Sequence, residues 1–331
     1  MSAGTLVLTR RDVVDLLAMD ECIDAVERAF RLHAEGRTIP PGVLGAHVDG
    51  GGFHVKTAGM AIGSRTYFAA KVNANFPDNR SRFGLPTIQG VLALFDAQNG
   101  CLLALIDSGE ITSIRTAAAT AVAARHLASA DAGVLTICGC GVQGRDQLRA
   151  VACVRPIRAV FAFDVDADRA ESYAETMSDE LGVSVRAVRD LSLATRESDI
   201  CVTCTTSRRA ILHPGDLRAG SFVAAVGADN PEKQEIDPAL LATSVVVADI
   251  LEQCATIGDL HHALAAGVMT RADVRAELGE IVAGRATGRS SPDEIIIFDS
   301  TGTALQDVAA AAVVYERATA SGRGMRIELG S

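Results

Sequence analysis

A short apolar run that ends in closely spaced glycines is the feature that most constrains the fold of this chain. Residues 134–138 suit a buried parallel strand, and Gly139, Gly141 and Gly144 follow directly. In this spacing the first glycine permits a tight turn, the second lets a pyrophosphate approach the backbone, and the third lets the next helix pack on the strand. The predicted helix, over residues 144–153, would offer free N–H groups to the phosphates. The pattern indicates a dinucleotide-binding turn.

An acidic residue after a second apolar run supports this interpretation and indicates which dinucleotide is bound. The run 159–163 is followed by Asp164, which lies 25 positions after Gly139. This is close to the spacing at which an acid binds the ribose hydroxyls, and an acid there repels a 2′-phosphate, so NAD is favoured over NADP. The alternative is a structural glycine turn, with Asp164 an ordinary acid at the end of a strand.

From about residue 130 the chain alternates between predicted strands and helices. This alternation is typical of an α/β fold with a doubly wound parallel sheet. The predicted strands lie at 134–138, 159–163, 199–204, 221–226, 244–248 and 294–298.

The preceding part of the chain predicts a leading helix and an antiparallel sheet. Apolar residues recur at helical spacing over residues 11–35. Asn99-Gly100 is a strong hairpin signal between the last two predicted strands. An Ala-rich helix is predicted over 116–128, and a final helix over 303–319 is expected to pack back on this first part. The predicted strands lie at 53–56, 67–72, 90–95 and 101–106.

Composition argues against several classes of function. The chain has 331 residues, of which 48% are hydrophobic, so one large domain or two can have a sizeable core. The net charge is −10, and no run is rich in Lys or Arg, which argues against a nucleic-acid partner. No apolar run is long enough to span a membrane. Because the N-terminus has no signal-peptide pattern, we expect a cytoplasmic protein.

The eight cysteines are interpreted as reduced and structural. Cys201-x-x-Cys204 could suggest metal or redox chemistry, but no second pair is spaced to complete a zinc site. Cysteine also behaves well as a small buried apolar residue. His126 and His261-His262 have no Cys or acid at a metal-ligand spacing. We therefore expect no metal site.

Two cations in the first part of the chain are candidate anion-binding residues. Lys71 ends an apolar run, and Arg115 lies where the Ala-rich helix is predicted to begin. A cation at a helix N-terminus opposes the helix dipole, so its position is better explained if it binds an anion. Together the two could clamp a carboxylate, with Arg115 able to do so in bidentate fashion. The alternative for each is an ordinary surface charge.

Polar residues follow several predicted strands of the parallel sheet, where ligands bind in open α/β folds. Asp229 follows the strand at 221–226 and could transfer protons, although a turn or capping role is the alternative. The same argument applies to Asp299. Thr205 and Thr206 could line a dinucleotide cleft, or could simply cap a helix.

With these segments in view, the chain resembles the ornithine cyclodeaminase/mu-crystallin family over nearly its whole length. That family includes cyclodeaminases, an archaeal type of alanine dehydrogenase and reductases of imines. The resemblance rests on Lys71-Val72-Asn73, Gly84-Leu85-Pro86-Thr87, Ser113-Ile114-Arg115-Thr116-Ala117-Ala118, Gly139-x-Gly141-x-Gln143, Gly227-Ala228-Asp229-x-Pro231-x-Lys233-Gln234-Glu235 and Gly302-x-Ala304-x-Gln306-Asp307.

The resemblance implies a Rossmann domain plus an α/β domain that forms a homodimer through its sheet. We assign residues 126–302 to the NAD-binding domain, and residues 1–125 with 303–331 to the substrate and dimerisation domain. Lys71 and Arg115 would hold a substrate α-carboxylate, and Asp229 would be the acid/base near the reacting nitrogen. Asp229 and Lys71 are the expected catalytic residues. The expected cofactor-binding residues are Gly139, Gly141, Val142, Gln143, Asp164, Thr205, Thr206, Thr116 and Gly227.

One departure from the family pattern bears on the substrate. The cyclodeaminases carry an arginine where this chain has Gly42, and an acid near the substrate where this chain has Lys56. Lys56 could replace that arginine as a carboxylate partner, and it would repel the terminal ammonium of a diamino acid. The alternative is a lysine that faces solvent.

The sequence is therefore compatible with three functions. The first is an NAD(H)-dependent oxidoreductase that interconverts a small 2-amino acid and its imine or 2-oxo acid, like alanine dehydrogenase or a ketimine reductase. The second is a cyclodeaminase with bound NAD, and the third is a non-catalytic binding protein like mu-crystallin.

Overall fold

The computed structural model describes residues 4–329. Most predicted helices are present, and several are longer or shorter than expected. The helices are α1 (Arg10–Leu16), α2 (Met19–Ala34), α3 (Asn79–Phe83), α4 (Ser108–Leu127), α5 (Val142–Val154), α6 (Ala167–Leu181), α7 (Leu191–Glu197), α8 (Pro238–Ala242), α9 (Leu251–Ile257), α10 (Asp259–Ala265), α11 (Leu278–Val282) and α12 (Ala304–Ser321).

The strands fall into two main sheets and one short pair. They are β1 (Thr5–Leu8), β2 (Thr38–Val48), β3 (Gly51–Ile62), β4 (Arg65–Asn75), β5 (Ile88–Asp96), β6 (Leu102–Asp107), β7 (Val134–Cys138), β8 (Ala159–Phe163), β9 (Ser184–Ala187), β10 (Ile200–Thr203), β11 (Arg208–Leu212), β12 (Phe222–Ala225), β13 (Gln234–Ile236), β14 (Val245–Ala248), β15 (Ala276–Glu277), β16 (Ile296–Asp299) and β17 (Met325–Ile327).

The chain divides into two compact units. The first contains the residues up to Arg115 together with those from Thr303 onward, and the second runs from Thr116 to Gly302. The division into a substrate domain and an NAD-binding domain, drawn above at residue 125, concerns function as well as folding and stays a prediction.

The first unit is built on a sheet ordered β17-β1-β6-β5-β4-β3-β2. Its pairs are antiparallel except for β1 and β6, which are parallel. Helix α12 packs against α2 and against β3 and β4, as expected for a final helix that returns to the first part of the chain. In β4 alternate side chains are buried, and Lys71 continues the inward-facing series of Tyr67 and Ala69.

Three predictions for the first unit were incomplete or wrong. The helix expected over 11–35 is interrupted at Leu17, which adopts an extended backbone and is buried beside Leu16. Strand β2 was not predicted. It contains Pro40-Pro41, but it is an edge strand, where proline is tolerated. The Ala-rich helix begins at Ser108 rather than 116, so Arg115 lies two turns inside it. The predicted Asn99-Gly100 hairpin joins β5 and β6 as expected.

The second unit contains a parallel sheet ordered β15-β14-β16-β12-β10-β7-β8-β9. Strands β7 and β8 match the predicted bounds, and the fold class is confirmed as α/β with a doubly wound parallel sheet. The chain runs outward from β7 through β8 and β9, then returns to the other side of β7 with β10. Ligands bind at such a reversal, outside the carboxyl ends of the strands.

Candidate active site

The glycine turn between β7 and α5 has the geometry that a bound dinucleotide needs. Gly139 has a φ of +105°, and a Cβ on Gly144 would collide with the Gly139 carbonyl oxygen. A Cβ on Gly141 would meet nothing within 4 Å, so the space before it is open. No side chain caps the N-terminus of α5, which begins there. These features fit a pyrophosphate placed against Gly141.

Asp164 lies immediately after β8, beside this turn. Its carboxylate accepts a hydrogen bond from the Cys140 N–H at 2.9 Å and lies 3.4 Å from the Arg169 guanidinium. Asp164 and Arg169 line a cleft of about 330 Å³ at the carboxyl ends of β7, β8 and β10. The cleft is lined by Cys138, Gly139, Gly141, Phe163, Asp164, Val165, Arg169, Cys204, Thr205, Thr206, Ser207 and Ile211.

Thr205 and Thr206 lie in the loop between β10 and β11, on the wall of this cleft. The alternative that they cap a helix is wrong, because the chain continues from them into a strand. Glu235, which sequence reasoning left unassigned, organises the loop. One Glu235 oxygen accepts from the Thr205 N–H at 2.6 Å, and the other accepts from the Gly227 N–H at 2.8 Å. Burial raises the pKa of Glu235, although its hydrogen bonds with Thr205 oppose this.

Asp229 lies beyond the end of β12 and is half exposed, with 52% of its side-chain surface accessible. The Lys233 ammonium donates to its carboxylate at 2.7 Å. Sequence reasoning missed the role of Lys233, although Lys233 belongs to the same family motif. The Lys233 ammonium therefore contacts the Asp229 carboxylate, which was predicted to transfer protons.

Lys71 and Arg115 meet in the first unit on a shared acid. Lys71 Nζ donates to Asp307 Oδ1 at 2.8 Å, and Arg115 Nε lies 3.0 Å from the same oxygen. The two cations are only 3% and 4% exposed, so the alternative of ordinary surface charges is wrong. The helix-dipole argument for Arg115 is also wrong, because Arg115 is not at a helix N-terminus. The carboxylate that Arg115 contacts in this structure is that of Asp307 in the same chain.

The surroundings of Lys71 change its acid–base properties. Burial and the neighbouring Arg115 lower the pKa of Lys71 to about 7, with Asp307 opposing them. Lys56 is the direct cross-strand partner of Lys71 and also lowers its pKa. Lys56 is half-buried, so it is not simply a lysine on an open surface.

Asp307 and Gln306, at the start of α12, were not assigned from sequence. Gln306 Oε1 accepts from Arg115 Nη1 at 2.6 Å. Their signal was the motif Gln306-Asp307 within the resemblance, but an acid in the first turn of a helix already has an ordinary explanation in the helix dipole. Across residues 4–329, no cluster of His, Cys, Asp and Glu has the arrangement of a metal site, and no helix is long and apolar enough to cross a membrane.

The doubly wound sheet, the glycine turn at its switch point and the acid after β8 define a Rossmann-type dinucleotide-binding protein. The chain belongs to the ornithine cyclodeaminase/mu-crystallin family, whose family model matches residues 3–322.

Relatives in this family include named dehydrogenases and reductases. The alanine dehydrogenase of Archaeoglobus fulgidus is 38% identical over 98% of this chain and 98% of its own length. The iminosuccinate reductase of Paracoccus denitrificans is 32% identical over 98% of this chain and all of its own length.

Solved structures with named activities are also similar to this chain. An archaeal alanine dehydrogenase dimer with bound NAD has a TM-score of 0.94 at 37% identity and covers 99% of this chain and 100% of that one. The Thermococcus litoralis Δ1-pyrroline-2-carboxylate reductase with NADH and L-proline has a TM-score of 0.93 at 33% identity, covering 98% and 100%. A lysine cyclodeaminase is more distant, with a TM-score of 0.86 at 29% identity, covering 99% and 96%.

Proposed function

We propose that this protein is an NAD(H)-dependent oxidoreductase that interconverts a small 2-amino acid and its imine or 2-oxo acid. The observation that carries the proposal is the buried pair of cations, Lys71 and Arg115, in a chain that also has a dinucleotide cleft. Buried cations are costly unless they are paired, and these two share one carboxylate. Their excess positive charge suits a substrate carboxylate. The named activities of the relatives support the same reaction class.

The proposed cofactor is NAD, with NADP less suited. NAD(H) would supply or take up the hydride of the reaction when bound. The open space at Gly141 and the uncapped N-terminus of α5 suit the pyrophosphate, and Asp164 suits the ribose hydroxyls. In this proposal the other residues that hold the cofactor are Val142, Gln143, Thr116, Thr205, Thr206 and Gly227.

The substrate roles proposed for these residues follow from their charges and from the proton that the reaction transfers. Lys71 and Arg115, with Lys56, hold the α-carboxylate and so orient the α-carbon for hydride exchange. Reduction of an imine adds one hydride to carbon and one proton to nitrogen. Asp229 donates that proton to the nitrogen and accepts it in the reverse reaction, or it activates water where a 2-oxo acid is the product.

The cofactor assignment predicts opposite outcomes for two neighbouring glycines. Gly141→Ala is expected to leave the melting temperature unchanged, because its φ of −84° suits alanine and its Cβ meets nothing. It should still weaken NADH binding about tenfold or more, since the methyl occupies the pyrophosphate space. Gly144→Ala should instead destabilise the fold. Titration of NADH fluorescence and thermal melting measure both effects.

Gly45→Ala is a matched control for this pair. Gly45 lies in β2 of the first unit, and a Cβ there also meets nothing within 4 Å. It should change neither the melting temperature nor NADH binding. Unaltered NADH binding in Gly141→Ala would contradict the assignment of this turn to the pyrophosphate.

The function itself is tested by an NADH-oxidation screen. We expect consumption of NADH with one or more 2-oxo acids in the presence of ammonia or methylamine, or with cyclic imines. The reverse reaction should reduce NAD with the matching amino acid. Absence of any net NADH change across all of these substrates would overturn the proposal.

A cyclodeaminase is the second candidate, since a lysine cyclodeaminase has a closely similar fold. Such an enzyme oxidises the amine, closes a ring, releases ammonia and returns the hydride, so ammonia appears without net NADH change. A non-catalytic binding protein is the third candidate. The presence of Lys71, Arg115 and Asp229 together argues against it.

The charge of Lys56 favours the oxidoreductase over the cyclodeaminase, because it would repel the terminal ammonium of a diamino acid. Two unit charges 4 Å apart at an effective dielectric constant of about 20 interact by about 4 kcal/mol. Lys56→Glu is therefore expected to raise the ratio of kcat/KM for ornithine to that for alanine by about tenfold or more. Lys56→Gln separates removal of the charge from its reversal. An identical ratio in wild type and both variants would show that Lys56 does not select the substrate.

A homodimer and a cytoplasmic location complete the proposal. The archaeal alanine dehydrogenase of similar fold is a dimer. In this chain Leu44, Val72 and Val91 lie in one cross-strand row of the first sheet and are 66%, 38% and 41% exposed. An exposed apolar row of this kind suits an interface with a second copy.

A further inference from the structure

The chain contains only three lysines, Lys56, Lys71 and Lys233. Two of them, Lys56 and Lys71, are directly opposite each other on neighbouring strands β3 and β4. Like charges in that arrangement destabilise a sheet. A buried lysine in such a place loses its proton readily, because burial and like charge both disfavour the ammonium. If Lys71 is to bind an anion, a negatively charged group in the first unit must oppose this loss of the proton.

Asp307 is the group that opposes it. Its carboxylate is 1% exposed, and its Oδ1 atom lies 2.8 Å from Lys71 Nζ and 3.0 Å from Arg115 Nε. One oxygen therefore contacts a side chain from β4 and a side chain from α4, while Asp307 itself lies in the first turn of α12. Although burial raises it, Lys71 and Arg115 lower the pKa of Asp307, so this carboxyl is ionised.

The other charged and polar groups around Lys71 do not replace Asp307. Arg115 from α4 and Lys56 from β3 both disfavour the ammonium. Thr112 of α4 accepts from Lys71 Nζ at 3.2 Å, but its hydroxyl is neutral. Strand β5 contributes the apolar Leu92 beside Lys71. From α2, the Cys22 thiol interacts with Arg115 and Asp307, and burial raises the pKa of Cys22 to about 12, so it adds no negative charge at neutral pH.

We propose that Asp307 is a positioning residue that extends the pH range over which Lys71 stays protonated and holds Lys71 and Arg115 as one cationic clamp. Its significance for catalysis rests on the proposed function, in which this clamp binds a carboxylate. A lysine that had lost its proton would contribute no charge to that binding. Asp307 thus determines up to which pH the clamp carries its full positive charge, and it does so without touching the substrate.

Lysine-selective NMR tests the proposal directly. Lysine labelled with ¹³C at Cε gives three side-chain signals from this chain, and Lys71→Met identifies the one from Lys71. In wild type we expect this signal to titrate close to neutral pH. In Asp307→Asn the midpoint should fall by about 1 to 3 pH units, because the opposite charge has been removed at nearly constant shape.

Asp96→Asn is the matched control. Asp96 is also a buried acid of the first unit, but it pairs with Arg65 rather than with Lys71. Its loss should leave the Lys71 midpoint unmoved. An unmoved midpoint in Asp307→Asn, with the fold intact, would overturn the proposal and leave Asp307 a purely structural residue.

Enzyme kinetics supply the second measurement. In Asp307→Asn, KM for the carboxylate substrate should begin to rise at a lower pH than in wild type, by the same shift that NMR measures, while kcat changes less. If Asp307→Asn does not fold, the wild-type titration still decides: a Lys71 amine that is neutral from about pH 6 to about pH 10 refutes the proposal. If no substrate is turned over but the NMR shift occurs, the proposed function fails and the role of Asp307 stands.

Discussion

Replacement of Asp229 by asparagine is expected to lower kcat by about 10²- to 10⁴-fold, the usual contribution of a positioned acid or base. The amide keeps the shape of the side chain but can neither accept nor deliver the proton of the reacting nitrogen. Because Asp229 is half exposed and its ion pair with Lys233 is local, the fold should be unaffected. Steady-state kinetics with the best substrate of the NADH screen measure the change.

Glu232→Gln is the control for this variant. Glu232 lies in the same turn, is 69% exposed and pairs with Arg208. Removing its charge should change kcat little. Asp229→Asn with unchanged turnover on every active substrate would show that another group handles the proton.

Arg115→Met is expected to affect both stability and substrate binding. It leaves Asp307 buried with one cation instead of two, and breaking a buried ion pair costs about 3 to 5 kcal/mol of unfolding free energy. Loss of one charged partner of a carboxylate should weaken its binding by about 2 to 5 kcal/mol, which lowers kcat/KM by about 30-fold or more. Urea unfolding and substrate saturation curves measure the two effects separately.

Arg65→Met separates these effects from the general loss of an arginine. Arg65 pairs with Asp96 in the same unit but is 42% exposed, so its loss should cost less unfolding free energy than the loss of Arg115. Substrate affinity should not change. A folded Arg115→Met protein with wild-type KM would contradict the assignment of Arg115 to the carboxylate.

Features that depend on neighbours in the chain were predictable. Strands β7 and β8 were predicted to the residue, because a run of buried apolar side chains bounded by a glycine turn or an acid is a local signal. The helix boundaries were less accurate. The start of α4 at Ser108 was missed, since Ser108 and Gly109 are poor helix formers, and the interruption at Leu17 depends on how Leu16 and Leu17 are both buried.

For the candidate functional residues of each unit, residue types were predictable but their partners were not. Lys71, Arg115 and Asp164 were selected from the sequence, while Asp307, Gln306, Glu235 and Lys233 were left without roles. Each of these four acts by a contact with another side chain or loop. Except for the pair of Lys233 with Asp229, which are four positions apart, these contacts join residues far apart in the chain, so the spacing of residues does not indicate them.

The sequence by itself determined the glycine turn, the parallel sheet that carries it and the preference for a dinucleotide, because these depend on residues within a few positions of one another. Only the tertiary structure decided that Lys71 and Asp307, which are 236 positions apart, share an ion pair. It also decided that Arg115 lies inside a helix and not at its start. The physical reason is that burial and charge pairing, which set the properties of these groups, arise only when distant segments pack together.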